Sequence, residues 1–266
     1  PAEYVISLLN LQEHGYALTL LAFLLFFFFG TIWLLEKSPA SKWFRASDDI
    51  VPPFLALPAI LFALFVSSLA TDIWQQHYDA KQSLIRESSA LRSIILLGSS
   101  LEKQGPALHG SVNNYITAVL DLEWQGMVNG DHANRENALP ELEALDSSIV
   151  KIANDPNSSY YVALRLNEAL EKLRETRQQR LSLAHDGVSS SKWASPASLA
   201  VVTLFTIGVV HIRRPRAMLI ALILTVMCIM GTIQLLSLNR SPYVGSAAVT
   251  NSMLNDVKNL LDKVRR

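Results

Sequence analysis

Four long apolar segments constrain the fold of this chain more than any other feature of its sequence. A helix needs about 20 residues to cross the ~30 Å hydrocarbon core of a lipid bilayer. The segments that reach this length are Ala17–Leu35, Phe54–Trp74, Trp193–His211 and Ala217–Leu238. The sequence therefore predicts an all-α polytopic membrane protein with four transmembrane helices.

The composition agrees with this prediction. Of the 266 residues, 50% are hydrophobic and 17% are charged, whereas soluble domains carry about 25% charged residues. The formal net charge is zero, so the chain as a whole does not attract nucleic acid. We expect membrane lipids as partners and no nucleic acid.

Basic residues predict the orientation in the membrane. Two short loops, Glu36–Pro53 and Arg213–Arg216, lie on one face, and both carry Lys or Arg residues. Short basic loops favour the cytoplasm. We therefore expect the loops inside the cell, with both termini and the long segment between the second and third spans outside a bacterial inner membrane.

Residues 75–192 are too polar for a membrane segment and too long for a loop. Apolar residues recur there at the spacing of amphipathic helices. Gly98, Gly105–Pro106 and polar runs at 129–137 and 154–159 separate four such helices. This pattern predicts a helical bundle outside the membrane.

The chain accordingly divides into four parts. Residues 1–74 hold an N-terminal amphipathic segment and two spans, residues 75–192 the bundle, residues 193–238 two further spans, and residues 239–266 an amphipathic helix. The N-terminal stretch YVISLLNL either lies along the bilayer surface or is unstructured. The expected apolar face of the C-terminal helix consists of Met253, Val257, Leu260 and Val264.

The second span has no Gly or Pro between Leu64 and Ser93, so it is expected to continue into the bundle as one helix. Along one side of this helix, apolar side chains are followed by side chains with hydroxyl groups and then by a carboxylate. These residues are Ile60, Leu64, Ser67, Ser68, Thr71 and Asp72. In a symmetric oligomer such a face lines a pore, with an apolar constriction and an acidic mouth. Alternatively, the small residues pack against other spans and Asp72 is exposed at the interface.

The last bundle helix carries an unusual pattern. Its apolar stripe of Leu166, Leu170 and Leu173 continues at the same spacing to Arg177 and Arg180. A buried guanidinium needs a partner, because an unpaired buried charge is strongly destabilising. Helical rise places Glu87 and Arg180 at a similar height, about 20 Å beyond the membrane, so they are predicted to pair. Alternatively, both arginines extend into solvent.

No enzyme motif is found in the sequence. It lacks the G-x-S-x-G, H-E-x-x-H, phosphate-loop and dinucleotide patterns. Cys228 is the single cysteine, and His77 and Asp79 diverge on a helix. We predict no enzyme activity, no cofactor and no metal site.

Three stretches resemble a known family. They are the W-x-x-x-Y-D-A and E-x-x-A-L patterns that follow the second span, the run LEKLRETRQQRLSLAHDGVSSSKW, and LSLNRSPYVG after the last span. With the layout of two spans, an insert and two spans, they are similar to the bestrophin-like family of bacterial membrane proteins. The resemblance to bestrophins themselves is fainter. It implies a ring of five subunits, a second span lining an ion path, and an apolar neck near Ile60 and Leu64. It also implies a cytoplasmic bundle, opposite to the orientation that the basic loops predict.

The sequence thus predicts a homo-oligomeric ion channel lined by the second span, with Asp72 and Asp79 favouring cations. The alternative is a non-conducting accessory or scaffold subunit of a larger membrane complex, or an extracytoplasmic sensor. In the first case the partners are copies of the same chain. In the second they are other membrane subunits.

Overall fold

The computed structural model describes residues 11–46, 53–129, 137–156, 158–185, 190–245 and 247–265. In these ranges the chain is helical and has no strand, so the predicted all-α fold is confirmed. The N-terminal segment expected on the bilayer surface lies, apart from Leu11, outside the described residues.

The helices follow the predicted order. They are α1 (Leu11–Glu36), α2 (Ser41–Ala46), α3 (Pro53–Ser99), α4 (Gly105–Ala118), a π-helical turn (Val119–Glu123), α5 (Trp124–Asn129), α6 (Leu139–Ala153), α7 (Tyr160–His185), α8 (Ser190–Val210), α9 (Pro215–Leu238) and α10 (Ser252–Val264).

Helix α3 runs without interruption for 47 residues, about 70 Å at the usual helical rise. It contains the whole stretch Leu64–Ser93, as the absence of Gly and Pro there predicts. At its end, the hydroxyl groups of Ser99 and Ser100 donate hydrogen bonds to the carbonyl oxygens of Ile95 and Leu97. The backbone N–H groups of Ser100 and Leu101 donate to the carbonyl oxygens of Leu97 and Gly98, so the last turn closes with bonds three residues apart.

Three helical segments among the described residues are long and apolar enough to cross a membrane. They are Ala56–Ser99, Lys192–Val210 and Pro215–Leu238. The apolar part of α1, Leu21–Glu36, is shorter.

The chain forms two compact units, each with its own core. The first comprises Pro1–Ile73 and Val188–Arg240. In it, α1, α8 and α9 pack through a buried apolar cluster that includes Leu24, Phe28, Leu204, Leu222 and Ile229. Helices α1 and α8 approach closely at Gly208, where a Cβ atom would lie 2.6 Å from side-chain atoms of Thr31 and Leu35.

The second unit, Trp74–Gly187 and Ser241–Arg266, is the helical bundle. The second part of α3 packs with α4, α6, α7 and α10 around one apolar core. The core includes Leu84, Leu91, Val112, Ile149 and Leu170.

Helix α10 is part of this core, and the face that it buries overlaps the predicted one only in part. Leu254, Val257 and Leu261 are buried, whereas Met253, Leu260 and Val264 are only half-buried. The apolar side of α10 is wide. Packing buries most deeply a stripe that shares Val257 with the expected one, and Met253 and Val264 also pack against the core. Periodicity locates an apolar side better than it locates the centre of that side.

The turn between α3 and α4 depends on a close backbone contact. A Cβ atom on Gly105 would collide with the carbonyl oxygen of Gly98. By contrast, a Cβ atom on Gly110, in the middle of α4, would have no atom within 4 Å.

We therefore expect opposite effects from two matched substitutions. Gly105→Ala should destabilise the protein by about 1–3 kcal/mol, because backbone must move to make room. Gly110→Ala should be neutral or stabilise α4 by up to about 1 kcal/mol, because Ala favours a helix over Gly. Thermal unfolding of the detergent-solubilised variants measures both. Equal stability of the two variants would contradict the close contact.

Candidate functional site

The face of α3 that the sequence singles out as pore-lining is not covered by the first unit. Ile60 is 56% exposed and Leu64 is 60% exposed. Ser67, Ser68 and Thr71 are also exposed. Of the 18 most apolar consecutive residues of this span, only 17% are buried, compared with 44% in α8 and 22% in α9. The face is therefore available to water, lipid or another subunit.

Leu69 and Ile73 mark the opposite side of the same span. They are 3% and 1% exposed and pack against Leu236 of α9. The two sides of α3 thus have different roles in the first unit, because one holds the span to its own chain and the other remains open.

The open face becomes polar within a short distance. Ile60 and Thr71 are 11 residues apart, about 16 Å along the helix. The hydroxyl group of Thr71 donates a hydrogen bond to the carbonyl oxygen of Ser67, 3.0 Å away. Such a bond to the helix backbone lets a threonine lie in an apolar environment.

Asp72 is paired within the chain. Lys192 Nζ lies 2.7 Å from Asp72 Oδ2, and both side chains are partly exposed. An exposed ion pair of this kind stabilises a protein by at most about 1 kcal/mol. It nevertheless offsets the negative charge of Asp72. Asp79 accepts a hydrogen bond from Gln75, 3.0 Å away, and this bond leaves its charge in place.

In the bundle, the structure brings Glu87 and Arg180 together. Arg180 Nε donates to Glu87 Oε2 at 2.7 Å, and Arg180 Nη2 donates to Glu87 Oε1 at 3.1 Å. Both side chains are completely buried. The geometry is bidentate, the strongest arrangement for an arginine and a carboxylate.

Glu123 extends this pair into a network. Its Oε2 atom accepts a hydrogen bond from Arg180 Nη2 at 2.9 Å. Its Oε1 atom accepts from Arg177 Nε at 3.1 Å and from the backbone N–H of Ala138 at 3.2 Å. Arg177 Nη2 also contacts Oε1. Two buried arginines are therefore balanced by two buried glutamates.

Two tyrosines complete the network. Tyr115 donates its hydroxyl proton to Glu87 Oε1 at 2.8 Å. Tyr243 donates to the carbonyl oxygen of Arg180 at 3.4 Å, and its ring packs edge-on against Trp124. Both tyrosines are almost completely buried. The network thus also holds the segment between α9 and α10 against the bundle.

Burial and charge set the protonation states in the network. Burial raises the pKa of Tyr115 well above its ordinary value, and the charge of Glu87 raises it further. Burial raises the pKa of Tyr243 to about 12. Burial by itself lowers the pKa of Arg180, but the negative charges of Glu87 and Glu123 outweigh it and the pKa is raised. At neutral pH the tyrosines are neutral donors and the arginine is charged.

The local fold explains how Glu123 reaches both arginines. It lies at the end of the π-helical turn, where the backbone N–H of Trp124 bonds to the carbonyl oxygen of Val119, five residues back. The wider turn keeps Val119, Glu123 and Trp124 buried and leaves Asp121 exposed. Single π-helical turns of this kind are frequent at functional sites.

The sequence interpretation did not identify Glu123, Tyr115 or Tyr243. A signal for Glu123 exists, because it follows Val112, Ile116 and Val119 at the same helical spacing that identified Arg177. Tyr115 lies beside that stripe. Tyr243 is in an irregular segment, where periodicity carries no information.

Among the described residues, no group of three His, Cys, Asp or Glu side chains is placed to hold a metal ion.

The network predicts a large difference between buried and exposed glutamates. Glu87→Leu leaves Arg180 with Glu123 alone and should cost about 3–5 kcal/mol of stability. Glu171→Leu is the control, because Glu171 is an exposed partner of Arg174, and it should cost less than about 1 kcal/mol. Chemical unfolding of the purified variants measures both.

The double variant Glu87→Leu/Arg180→Leu tests the cause of the loss. It removes the unpaired charge and should be more stable than Glu87→Leu alone. If the double variant is as unstable as the sum of its single variants, the buried charge is not the cause.

Comparison with solved structures shows the fold. A bacterial bestrophin homologue from Klebsiella pneumoniae, solved by zinc anomalous phasing, matches with a TM-score of 0.64 and 12% identity over 92% of this chain and 97% of that chain. Two single-residue variants of a Klebsiella pneumoniae homologue match with TM-scores of 0.66. One is 12% identical over 92% of this chain and 98% of its own. The other is 13% identical over 93% of this chain and 100% of its own.

No curated protein matches the sequence. The model of the bestrophin-like domain, however, matches residues 22–254, which include the open face of α3 and all the residues of the buried network. This match covers most of the chain and agrees with the structural likeness. The chain belongs to the bestrophin-like family.

Proposed function

We propose that the protein is a homo-oligomeric ion channel whose pore is lined by the open face of α3. The observation that carries this proposal is a face with exposed Ile60 and Leu64 followed by exposed hydroxyl groups, on the least buried of the spans compared above. Apolar side chains alone would suit lipid. Ser67 and Ser68 are better accommodated by water or by a neighbouring helix.

The order of residues along this face suits a gate. Rings of Ile60 and Leu64 side chains would form an apolar constriction, and such constrictions close by losing water. The hydroxyl groups of Ser67, Ser68 and Thr71 would follow as a hydrated, neutral section. Membership of the bestrophin-like family and the fold shared with the Klebsiella pneumoniae homologues support this assignment.

The ion pair of Asp72 changes the expected selectivity. In a symmetric ring, each Asp72 is accompanied by a Lys192 of the same subunit at 2.7 Å. The cation preference that Asp72 alone predicts is therefore reduced. Asp79 is the carboxylate that remains to favour cations.

We expect Ile60→Ala and Leu64→Ala to increase ion conduction by at least about twofold, because each widens an apolar constriction. Ile220→Ala is the matched control. Ile220 is 61% exposed on α9, outside the proposed pore face. Currents or ion flux in reconstituted vesicles measure the effect, and equal effects of Ile60→Ala and Ile220→Ala would contradict the proposed lining.

Native mass spectrometry in mild detergent tests the assembly. A single homo-oligomer, with five chains as the family resemblance implies, supports the channel. A monomer overturns it. A chain that is found only with unrelated membrane subunits favours the accessory or scaffold function instead.

We also propose that the basic loop at Arg213–Arg216 faces the cytoplasm and that the bundle is outside the inner membrane. A cysteine placed at Glu171, which is exposed in the bundle, should then react with a membrane-impermeant maleimide in intact cells. The variant Cys228→Ser is used as background. Reaction only after the cells are opened would reverse the orientation.

A further inference from the structure

Helices α3 and α7 leave an open cleft of about 270 Å³ in the bundle. Small residues on the two helices create it, because Ala90 and Ala169 form its buried floor. Larger side chains at these two positions would fill the space between the helices. The cleft belongs to the bundle alone and involves neither the open face of the span nor the buried network.

Cations dominate the walls of the cleft. Arg86 of α3 lies on one side, and Arg165 and Lys172 of α7 lie on the other. Glu168 is the single carboxylate of the lining, and it is 3.5 Å from Arg165, a long contact between two exposed side chains. Lys172 pairs with Glu175 at the edge of the cleft. Three cations therefore face two carboxylates.

Arg86 is the cation with unused donors. Among the described residues it makes no hydrogen bond or ion pair, and a through-space attraction links it to the carboxylate of Glu175. The hydroxyl group of Ser89, one turn further along α3, also lines the cleft. A guanidinium beside a hydroxyl group is a donor set that fits phosphate or carboxylate oxygens.

We propose that this cleft binds a compact, soluble oxyanion, with Arg86 as its main contact and Arg165, Lys172 and Ser89 as further donors. A lipid headgroup is the less suitable source. Arg86 follows Trp74, at the end of the predicted span, by 12 residues, about 18 Å along the helix. The phosphate groups of the bilayer surface are thus distant from the cleft, whereas a soluble anion reaches it freely.

Titration calorimetry of the full-length protein in neutral detergent tests this site. The probes are inorganic phosphate, pyrophosphate and citrate, each compared with sodium chloride at the same ionic strength. Saturable binding of at least one oxyanion is expected, and the difference between phosphate and citrate identifies the preferred chemistry. Absence of saturable binding to all three probes overturns the proposal.

Two variants locate the binding. Arg86→Gln should weaken it at least about tenfold, because a hydrogen bond to a charged group is lost. Arg92→Gln is the matched control on the exposed side of α3, outside the cleft, and should have little effect. If both variants weaken binding equally, the anion is attracted by the overall positive charge of this surface, and the proposed binding site in the cleft is contradicted.

Ser89→Leu provides a second test that leaves every charge in place. The larger side chain fills the cleft at an exposed position, so it should abolish binding without unfolding the protein. Unchanged affinity in Ser89→Leu would place the anion elsewhere. Channel activity is not needed for any of these measurements.

Discussion

The buried guanidinium of Arg180 is the interaction on which the bundle depends. Without water around it, this charge requires carboxylates at the correct distance, and it obtains them from Glu87 of α3 and Glu123 of the π-helical turn. A shift of one helical residue moves a side chain by about 1.5 Å along the axis and turns it by about 100°. Such a shift would move the guanidinium out of reach of its carboxylates and leave a buried charge unpaired. Apolar contacts alone are less selective, because neighbouring registers bury similar areas.

Helix α3 shows how one helix satisfies two requirements. In the first unit, Leu69 and Ile73 hold it to its own chain, whereas Ile60 and Leu64 on its other side are open. If this open side were apolar throughout, contact with lipid would be enough to explain it. The exposed hydroxyl groups of Ser67 and Ser68 argue against lipid alone, since they gain hydrogen bonds from water or from another subunit and none from lipid tails. The open face is thus a structural reason to expect further copies of the chain.

Much of this fold follows from periodicity, and so does part of the site. The spacing that carries an apolar stripe onto Arg177 and Arg180 also carries one onto Glu123, so both halves of the network are encoded in the same way. What periodicity cannot give is the distance between helices, which decides whether Glu87 is in reach. It also cannot place Tyr243, because an irregular segment has no repeating side. For α10, the buried stripe is set by the shape of the core that it joins.

An ion pair within one subunit reduces the contribution of a charged residue to the electric field of an oligomer. A symmetric ring multiplies every charge of the chain, so an unpaired acid at a pore mouth becomes a strong field. In the proposed ring Asp72 would not act in this way, because Lys192 Nζ lies 2.7 Å from Asp72 Oδ2 in the same chain and the ring would multiply a pair with no net charge. The same reasoning removes Arg177 and Arg180 from the field of the protein, since buried glutamates balance them. By this reasoning, the charges expected to act on ions and ligands are those that no neighbouring group neutralises, and for this reason Arg86 is the main contact of the proposed oxyanion site.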